Sequence, residues 1–417
     1  MKKLLRQILA VLILFCAAGA ARADKTVLTV ATFPDLDRAA NGALGIWQQL
    51  HPDIEVRVIS RQYIDHHTAM STALATGSGQ PDVMAIDFRF LGKLAESGGL
   101  EDLNQAPYLA AALRPRFVSF TFAQATNSSG ALVALPTDIG PGTLLYRKDL
   151  ADRAGVSEGD LTRDWASYIA AGRKIKAATG AYLLADAADL RDIALRAGLK
   201  DGEGIYFDRD GHCLVDSARF VKAFELGREV RKAGLDAGVT AWTNDWVASF
   251  KQGKVASQMM GAWLTGHLKN WLAPENKGLW RSAALPGGLQ ASYGGSFYAI
   301  PAKAEHKAAA WDFIRFMTLR KDIQINSLRN LDSFPALQEA LQDPAMDEPL
   351  AYLGGQRARR LWRTIAAQVP AVSVNRLDPI AIDVVRDEFE NVINDGKDIS
   401  KALADARSLI ERRTRRR

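Results

Sequence analysis

Apolar positions along the first hundred residues follow two alternating rhythms. Val27-Leu28-Thr29-Val30 is a short β run, and Ile54-Glu55-Val56-Arg57-Val58 alternates strictly, as a strand with one buried face does. Between them, Leu36, Ala40, Leu44, Trp47 and Leu50 recur at three and four residues, which predicts an amphipathic helix. A second helix is predicted over 66–76, closed at Gly77-Ser78-Gly79, where glycine accepts positive φ. The run 81–87 reads as a buried strand, and a helix over 91–97 stops at Gly98-Gly99. The resulting β-α-β-α-β-α order predicts an open parallel sheet covered by helices.

The pattern then changes. Pro136, Gly140, Pro141 and Gly142 cluster around Asp138 and predict a crossing segment, followed by a strand at Leu144-Leu145-Tyr146-Arg147. Helices are predicted from Thr162 or Asp164 to Gly180, over 216–233 and over 246–252. A strand over 254–260 runs into Gly261-Ala262-Trp263, and two more are predicted over 282–285 and 293–301. Helices over 308–319, 350–361, 379–394 and 400–413 complete the reading. Trp47 and Trp311 lie on apolar stripes and are expected in the core, and Trp165 packs at a helix start.

The first 23 residues stand apart. Lys2, Lys3 and Arg6 precede an uncharged apolar run from Ile8 to Ala18, and Ala21-Arg22-Ala23 supplies small residues at the positions a signal peptidase reads. This is the pattern of a secretory leader cut after Ala23, and the run is too short to span a bilayer. Export would remove Cys16 and leave Cys213 alone, so the mature chain has no disulfide to lean on. The formal charge of +6 is concentrated at the ends. Four positive charges belong to the leader and a net four to 411–417, leaving 24–410 at −2. The body is therefore no polyanion binder, and the tail reads as a solvated terminus.

Common catalytic signatures are missing: there is no G-x-S-x-G, H-E-x-x-H, Walker loop or G-x-G-x-x-G after a strand. His66 and His67 are adjacent, so on a helix they point about 100° apart and suit no shared metal. What the strand ends do carry is polar and aromatic. Phe33 and Asp35 follow the first strand, Tyr63 the second, and Asp87 ends the third. Trp263 ends a strand of the middle region, and Tyr293-Gly294-Gly295 lies at a later one. Ligands of open α/β sheets bind at these carboxyl ends. Carboxylates suit a fixed pattern of hydroxyl groups, and aromatic faces suit the C–H side of a sugar ring. Each residue also has a plainer role open to it. Asp87 could cap a helix, Asp138 a turn, Trp263 could be core, and the glycine pair could mark a bulge.

Four segments in this order resemble the extracellular solute-binding protein family 1, the carbohydrate-binding components of bacterial ABC importers. They are Thr68 to Val83, with its Gly-rich turn and Pro81-Asp82; Leu135-Pro136-Thr137-Asp138 with Leu145-Tyr146-Arg147; Phe250 to Ala256 leading to Met260-Gly261-Ala262-Trp263; and Gly294-Gly295-Ser296-Phe297-Tyr298 with Trp311-Asp312-Phe313. One departure is Ala256-Ser257-Gln258-Met259-Met260, where the family often has Ala-Met directly after Gly-Lys-Val.

The resemblance implies an α/β fold of two Rossmann-like lobes joined by crossing segments, similar to type II periplasmic binding proteins. Lobe one would comprise 24–136 plus 287–333, and lobe two 138–285 plus 336–417. It implies a periplasmic, non-enzymatic, monomeric protein that binds a mono- or oligosaccharide between the lobes and passes it to transmembrane permease subunits. It implies no cofactor, no metal and no nucleic acid. It assigns the stacking aromatic to Trp263 and polar contacts to Asp87 and Asp138, with Tyr63, Tyr293 and Arg376 placed in the same region. Alternatives are the same scaffold holding a polyol, glycerol phosphate or polyamine, or a secreted carbohydrate hydrolase with a carboxylate pair.

Overall fold

The computed structural model describes residues 25–414, so the expected leader and the last three residues of the Arg-rich tail lie outside the described residues. The first three strands are β1 (Thr26–Thr32), β2 (Ile54–Ser60) and β3 (Val83–Asp87). They run parallel, with β1 between the other two. The helices that return the chain are α1 (Leu36–Leu50) and α2 (Tyr63–Thr76), and α3 (Phe88–Ala95) follows β3. Gly77 closes α2 at φ 68°, the left-handed cap expected of it. Trp47 is 1% exposed and Trp311 8%, both in the core as their stripes predict.

The parallel pattern does not continue. Strand β7 (Ser292–Ala299) enters antiparallel between β3 and the long strand β4 (Leu135–Arg147). The sheet is therefore mixed, not purely parallel. The Pro/Gly cluster expected as a crossing segment is itself part of β4. Its first half pairs with β7; its second half lies between β5 (Ser257–Gly261) and β6 (Trp280–Ala283). Two prolines survive inside a strand because the register shifts between Pro136 and Asp138 and again between Ile139 and Pro141. At such irregularities a missing N–H costs no ladder bond.

The remaining long helices are α4 (Trp165–Thr179), α5 (Ala187–Arg196), α6 (Ala218–Lys232), α7 (Asn244–Lys251), α8 (Lys307–Leu319), α9 (Lys321–Leu331), α10 (Ala358–Gln368), α11 (Asp378–Asn394) and α12 (Ile399–Thr414). Asp164 caps α4: its carboxylate accepts from the Ser167 N–H at 2.7 Å and the Ser167 hydroxyl accepts from the Asp164 N–H at 3.1 Å. The helix expected over 350–361 begins later. Gly354 and Gly355 take φ of 63° and 84°, so only a short turn precedes them and α10 starts at Ala358.

Apolar packing falls into three clusters. The first joins Val30, Trp47, Ile86, Phe297 and Phe313 with Trp246, Trp280 and Trp362. The second surrounds Leu144, Tyr168, Ile169 and Met259. The third contains Phe220, Phe224, Val384, Phe389 and Ile410, and Phe88 at the start of α3 packs against both the first and the third.

Candidate functional site

Asp87 is held from three sides. Of the two adjacent histidines, only His67 reaches it. His67 Nδ1 lies 2.7 Å from the Tyr63 carbonyl oxygen, which can only accept, so the proton sits on Nδ1. Nε2 is then free to accept the Asp87 backbone N–H at 3.0 Å. Burial pushes the His67 pKa down to about 4, which keeps this neutral tautomer in place. His66 points elsewhere, with Nε2 2.7 Å from the Ala85 carbonyl oxygen. One carboxylate oxygen of Asp87, Oδ1, accepts from the Tyr63 hydroxyl at 2.8 Å and from the Arg89 N–H at 2.9 Å. The second bond makes Asp87 the N-cap of α3, the plainer role open to it. Burial raises the Asp87 pKa; the Arg89 N–H, the Tyr63 hydroxyl and the charges of Arg89 and Arg196 oppose the rise. Phe33 is buried edge-on to Tyr63, with ring centroids 5.6 Å apart. It therefore supports the tyrosine.

Trp263 is fixed in the same manner. Its indole N–H donates to the Tyr293 carbonyl at 2.8 Å, and its ring centroid lies 6.3 Å from that of Tyr293. Two glycines make room for this contact. A Cβ on Gly140 would lie 2.0 Å from the Tyr293 carbonyl oxygen, and one on Gly261 would lie 2.2 Å from Trp263 Nε1. Gly294 and Gly295 take φ of 91° and 129°, a conformation that side chains resist, and they bring β7 close to β4.

Asp138 faces β7 across the ladder, opposite Ser296. The Ser333 hydroxyl donates to it at 3.3 Å and the Ser296 side chain also bonds it. Burial, with the nearby charge of Asp87 adding to it, raises its pKa to about 7. Two carboxylates and two aromatic rings thus border one region where β3, β4, β5 and β7 end or bend. Arg376 is exposed, in the segment between α10 and α11.

Sequence reading missed Arg196, because α5 was not singled out at all. The buried faces of α5 include the charged Asp189 and Arg191, which interrupt an apolar stripe. The Arg196 guanidinium stacks 4.6 Å above the Tyr293 ring, and its Nε is buried with no hydrogen-bond partner among the described residues. Its charge reaches both Asp87 and Asp378. Trp242 and His267 were also missed; they flank Trp263 at centroid distances of 6.0 and 5.5 Å.

Chemically, the region offers hydrogen-bond acceptors, a guanidinium donor and flat apolar faces. The described residues include no helix long and apolar enough to cross a membrane. Comparison with known proteins identifies the fold and the family. A lactose-binding protein of Rhizobium radiobacter is 28% identical over 79% of this chain and 79% of its own length. An arabinooligosaccharide-binding protein of Halalkalibacterium halodurans is 22% identical over 84% of this chain and 79% of its own. Among solved structures, an extracellular solute-binding protein of family 1 superposes with a TM-score of 0.80 at 25% identity, covering 93% of this chain and 99% of that one. The ABC-transporter-associated binding protein of B. animalis subsp. lactis Bl-04, solved with β-1,6-galactobiose, gives 0.75 at 23%, covering 93% and 97%. The fold is thus that of the type II periplasmic sugar-binding proteins. Residues 29–322 match the family described as bacterial extracellular solute-binding protein, and the chain belongs to that family.

Proposed function

We propose that this protein binds a sugar between two lobes and delivers it, unaltered, to the permease of an ABC importer. The lobes are 24–136 plus 287–333 and 138–285 plus 336–417, and the protein works as a periplasmic monomer after loss of its leader. The observation that carries this reading is the Trp263–Tyr293 pair fixed beside Asp87 and Asp138. Flat rings cover the C–H face of a pyranose, and carboxylates accept from its hydroxyls. Asp87 Oδ1 is occupied by Tyr63 and Arg89, which orients Oδ2 for a ligand. Arg196 supplies donors from the other side of Tyr293. Ligand favours closure by the difference in its affinity for the closed and open forms, so no chemistry on the sugar is needed. The sugar-binding names of the relatives agree with this assignment.

The test is a thermal-shift and tryptophan-fluorescence screen of the purified protein against lactose, galactobiose, maltotriose and arabinooligosaccharides. Putrescine and glycerol 3-phosphate represent the other ligand classes. A sugar that binds only the native state raises Tm. Trp263→Ala is expected to lower affinity for that sugar by about 100-fold, near 2.7 kcal/mol. Unchanged affinity in Trp263→Ala removes the tryptophan from the site, and a response to putrescine alone replaces the sugar reading.

A further inference from the structure

Strand β2 stands at one end of the sheet, with β1 on one side and no strand or bridge on the other among the described residues. An open edge presents unpaired N–H and C=O groups to any strand that approaches, and folds ordinarily blunt it with a bulge, proline, lysine or short length. β2 has none of these. It is seven residues long, Ile54-Glu55-Val56-Arg57-Val58-Ile59-Ser60, and its register with β1 is unbroken from Thr26–Ile54 to Thr32–Ser60.

The ladder fixes which backbone groups are free. The Asp53 carbonyl accepts from the Thr26 N–H at 3.0 Å, and the Arg61 N–H donates to the Thr32 carbonyl at 3.2 Å. In a parallel ladder alternate residues turn both groups towards the neighbour, so the odd-numbered residues from 53 to 61 face β1. The N–H and C=O of Val56 and of Val58 therefore face outward, and no bond from another element reaches them among the described residues.

The side chains are unpartnered in the same way. Glu55 and Arg57 share one face of the strand and are exposed, and neither has an ion pair or a side-chain hydrogen bond among the described residues. Ile54, Val56 and Val58 share the other face. They pack on the first core cluster yet are only half-buried.

A second copy of β2, antiparallel and related by a twofold axis through Val56, answers each feature. The two Val56 residues exchange both backbone bonds. Glu55 then lies opposite Arg57 of the second copy, and Arg57 opposite its Glu55, in the closer, non-hydrogen-bonded positions. On the other face Val56 meets Val56, and Ile54 meets Val58. An axis through Val58 would instead set Arg57 opposite Ile59, and one through Glu55 or Arg57 would set a like charge against itself.

We infer that two copies of this chain pair edge to edge through β2, in a twofold antiparallel register centred on Val56. A twofold contact uses the same patch on both copies, so the pairing closes at two. This goes beyond the sugar reading and does not rest on it. The seam is separated by β1 from Asp87 at the end of β3. One strand from each copy is a small contact beside the about 1,600 Å² of a standard interface, so the pair is weak and reversible. The working monomer is then the form at low concentration.

The experiment is sedimentation velocity of the full protein in low salt, from about 5 μM to about 500 μM, the range in which so small an interface associates. The wild-type sedimentation coefficient should rise with concentration towards that of a dimer. Glu55→Arg alone and Arg57→Glu alone each set like charges opposite one another at both ends of the seam, and each should weaken self-association about tenfold. In an equimolar mixture of the two variants, every residue at 55 and 57 faces an opposite charge, and association should return at least to the wild-type level. Both side chains are exposed, so unchanged melting curves will show that the variants are folded. A wild type that stays monomeric throughout overturns the inference and leaves the edge to a strand of a different protein. Association that either single substitution leaves unchanged, or that the mixture fails to recover, overturns it as well and moves the contact to another surface.

Discussion

Asp138 shows how much of the site is decided by single side chains. Its pKa is raised to about 7 because burial strips the carboxylate of water, and Asp87 adds a like charge nearby. The other groups facing it are neutral: the Ser296 and Ser333 hydroxyls and the Tyr298 ring. The folded-state pKa lies above the unfolded value near 3.9, so the folded protein holds this proton more tightly than the unfolded chain does. The stability this contributes is full below about pH 4 and is lost as pH rises towards 7. Asp189 and Asp378, also raised to about 7 by burial, act in the same direction. The contribution of Asp138 is therefore read as a difference. Without sugar, Tm should fall more steeply from pH 5 to pH 8 in wild type than in Asp138→Asn. Parallel curves for the two proteins would mean that Asp138 is ordinarily ionised.

At the scale of elements, the site is braced from behind by a buried charge cluster. Asp332, 2% exposed, ends α9 in the left-handed conformation. It pairs with Lys269, which follows the Trp263 turn, and with Arg359 on α10 at 3.4 Å. Arg359 is itself 3% exposed and also donates to the Ala345 carbonyl at 3.0 Å. Ser333, the residue after Asp332, donates to Asp138, so the cluster ties α9 and α10 to the candidate site. Arg359→Ala should cost about 3 kcal/mol of unfolding free energy, the low end for a broken buried pair because Lys269 still compensates Asp332. Urea unfolding measures this, and a loss under about 1 kcal/mol would show the cluster to be dispensable.

None of that cluster was legible in the sequence. Its members are scattered over ninety positions and carry no periodic signal. The legible parts were those with local signatures: α1 from its apolar stripe, α2 from the stripe and Gly77, α4 from Asp164, and Trp47 as core. Asp87, Trp263 and Tyr293 could be singled out as candidates because strand ends can be read from a single chain. Arg196 and Trp242 were not, because α5 buries charged residues and Trp242 lies in a connection whose backbone only the fold dictates. Only the end of β4, 144–147, was legible as strand; the crossing segment before it carries prolines that tolerate pairing only where β7 shifts register.

For the whole molecule, the proposed motion has a seam that can be tested without touching the ligand. Gly92 on α3 belongs to proposed lobe one, and Asn375, just before α11, belongs to lobe two. A Cβ on Gly92 would meet the Asn375 backbone at 2.8 Å from its oxygen and 3.0 Å from its carbon. Backbone cannot swing aside as a flexible side chain can, so a larger residue here must hold α3 and α11 apart. Gly92→Leu should therefore destabilise the closed form relative to the open one. Apparent affinity falls by the fraction of molecules still able to close, and a tenfold reduction in that fraction gives a tenfold higher Kd. Small-angle scattering should show the sugar-saturated wild type contracting while Gly92→Leu stays expanded at the same sugar concentration. Tryptophan fluorescence would report the weaker binding in parallel. Full contraction with unaltered Kd in Gly92→Leu would place the seam elsewhere, and a fixed radius in the wild type would mean that the two halves do not move on binding.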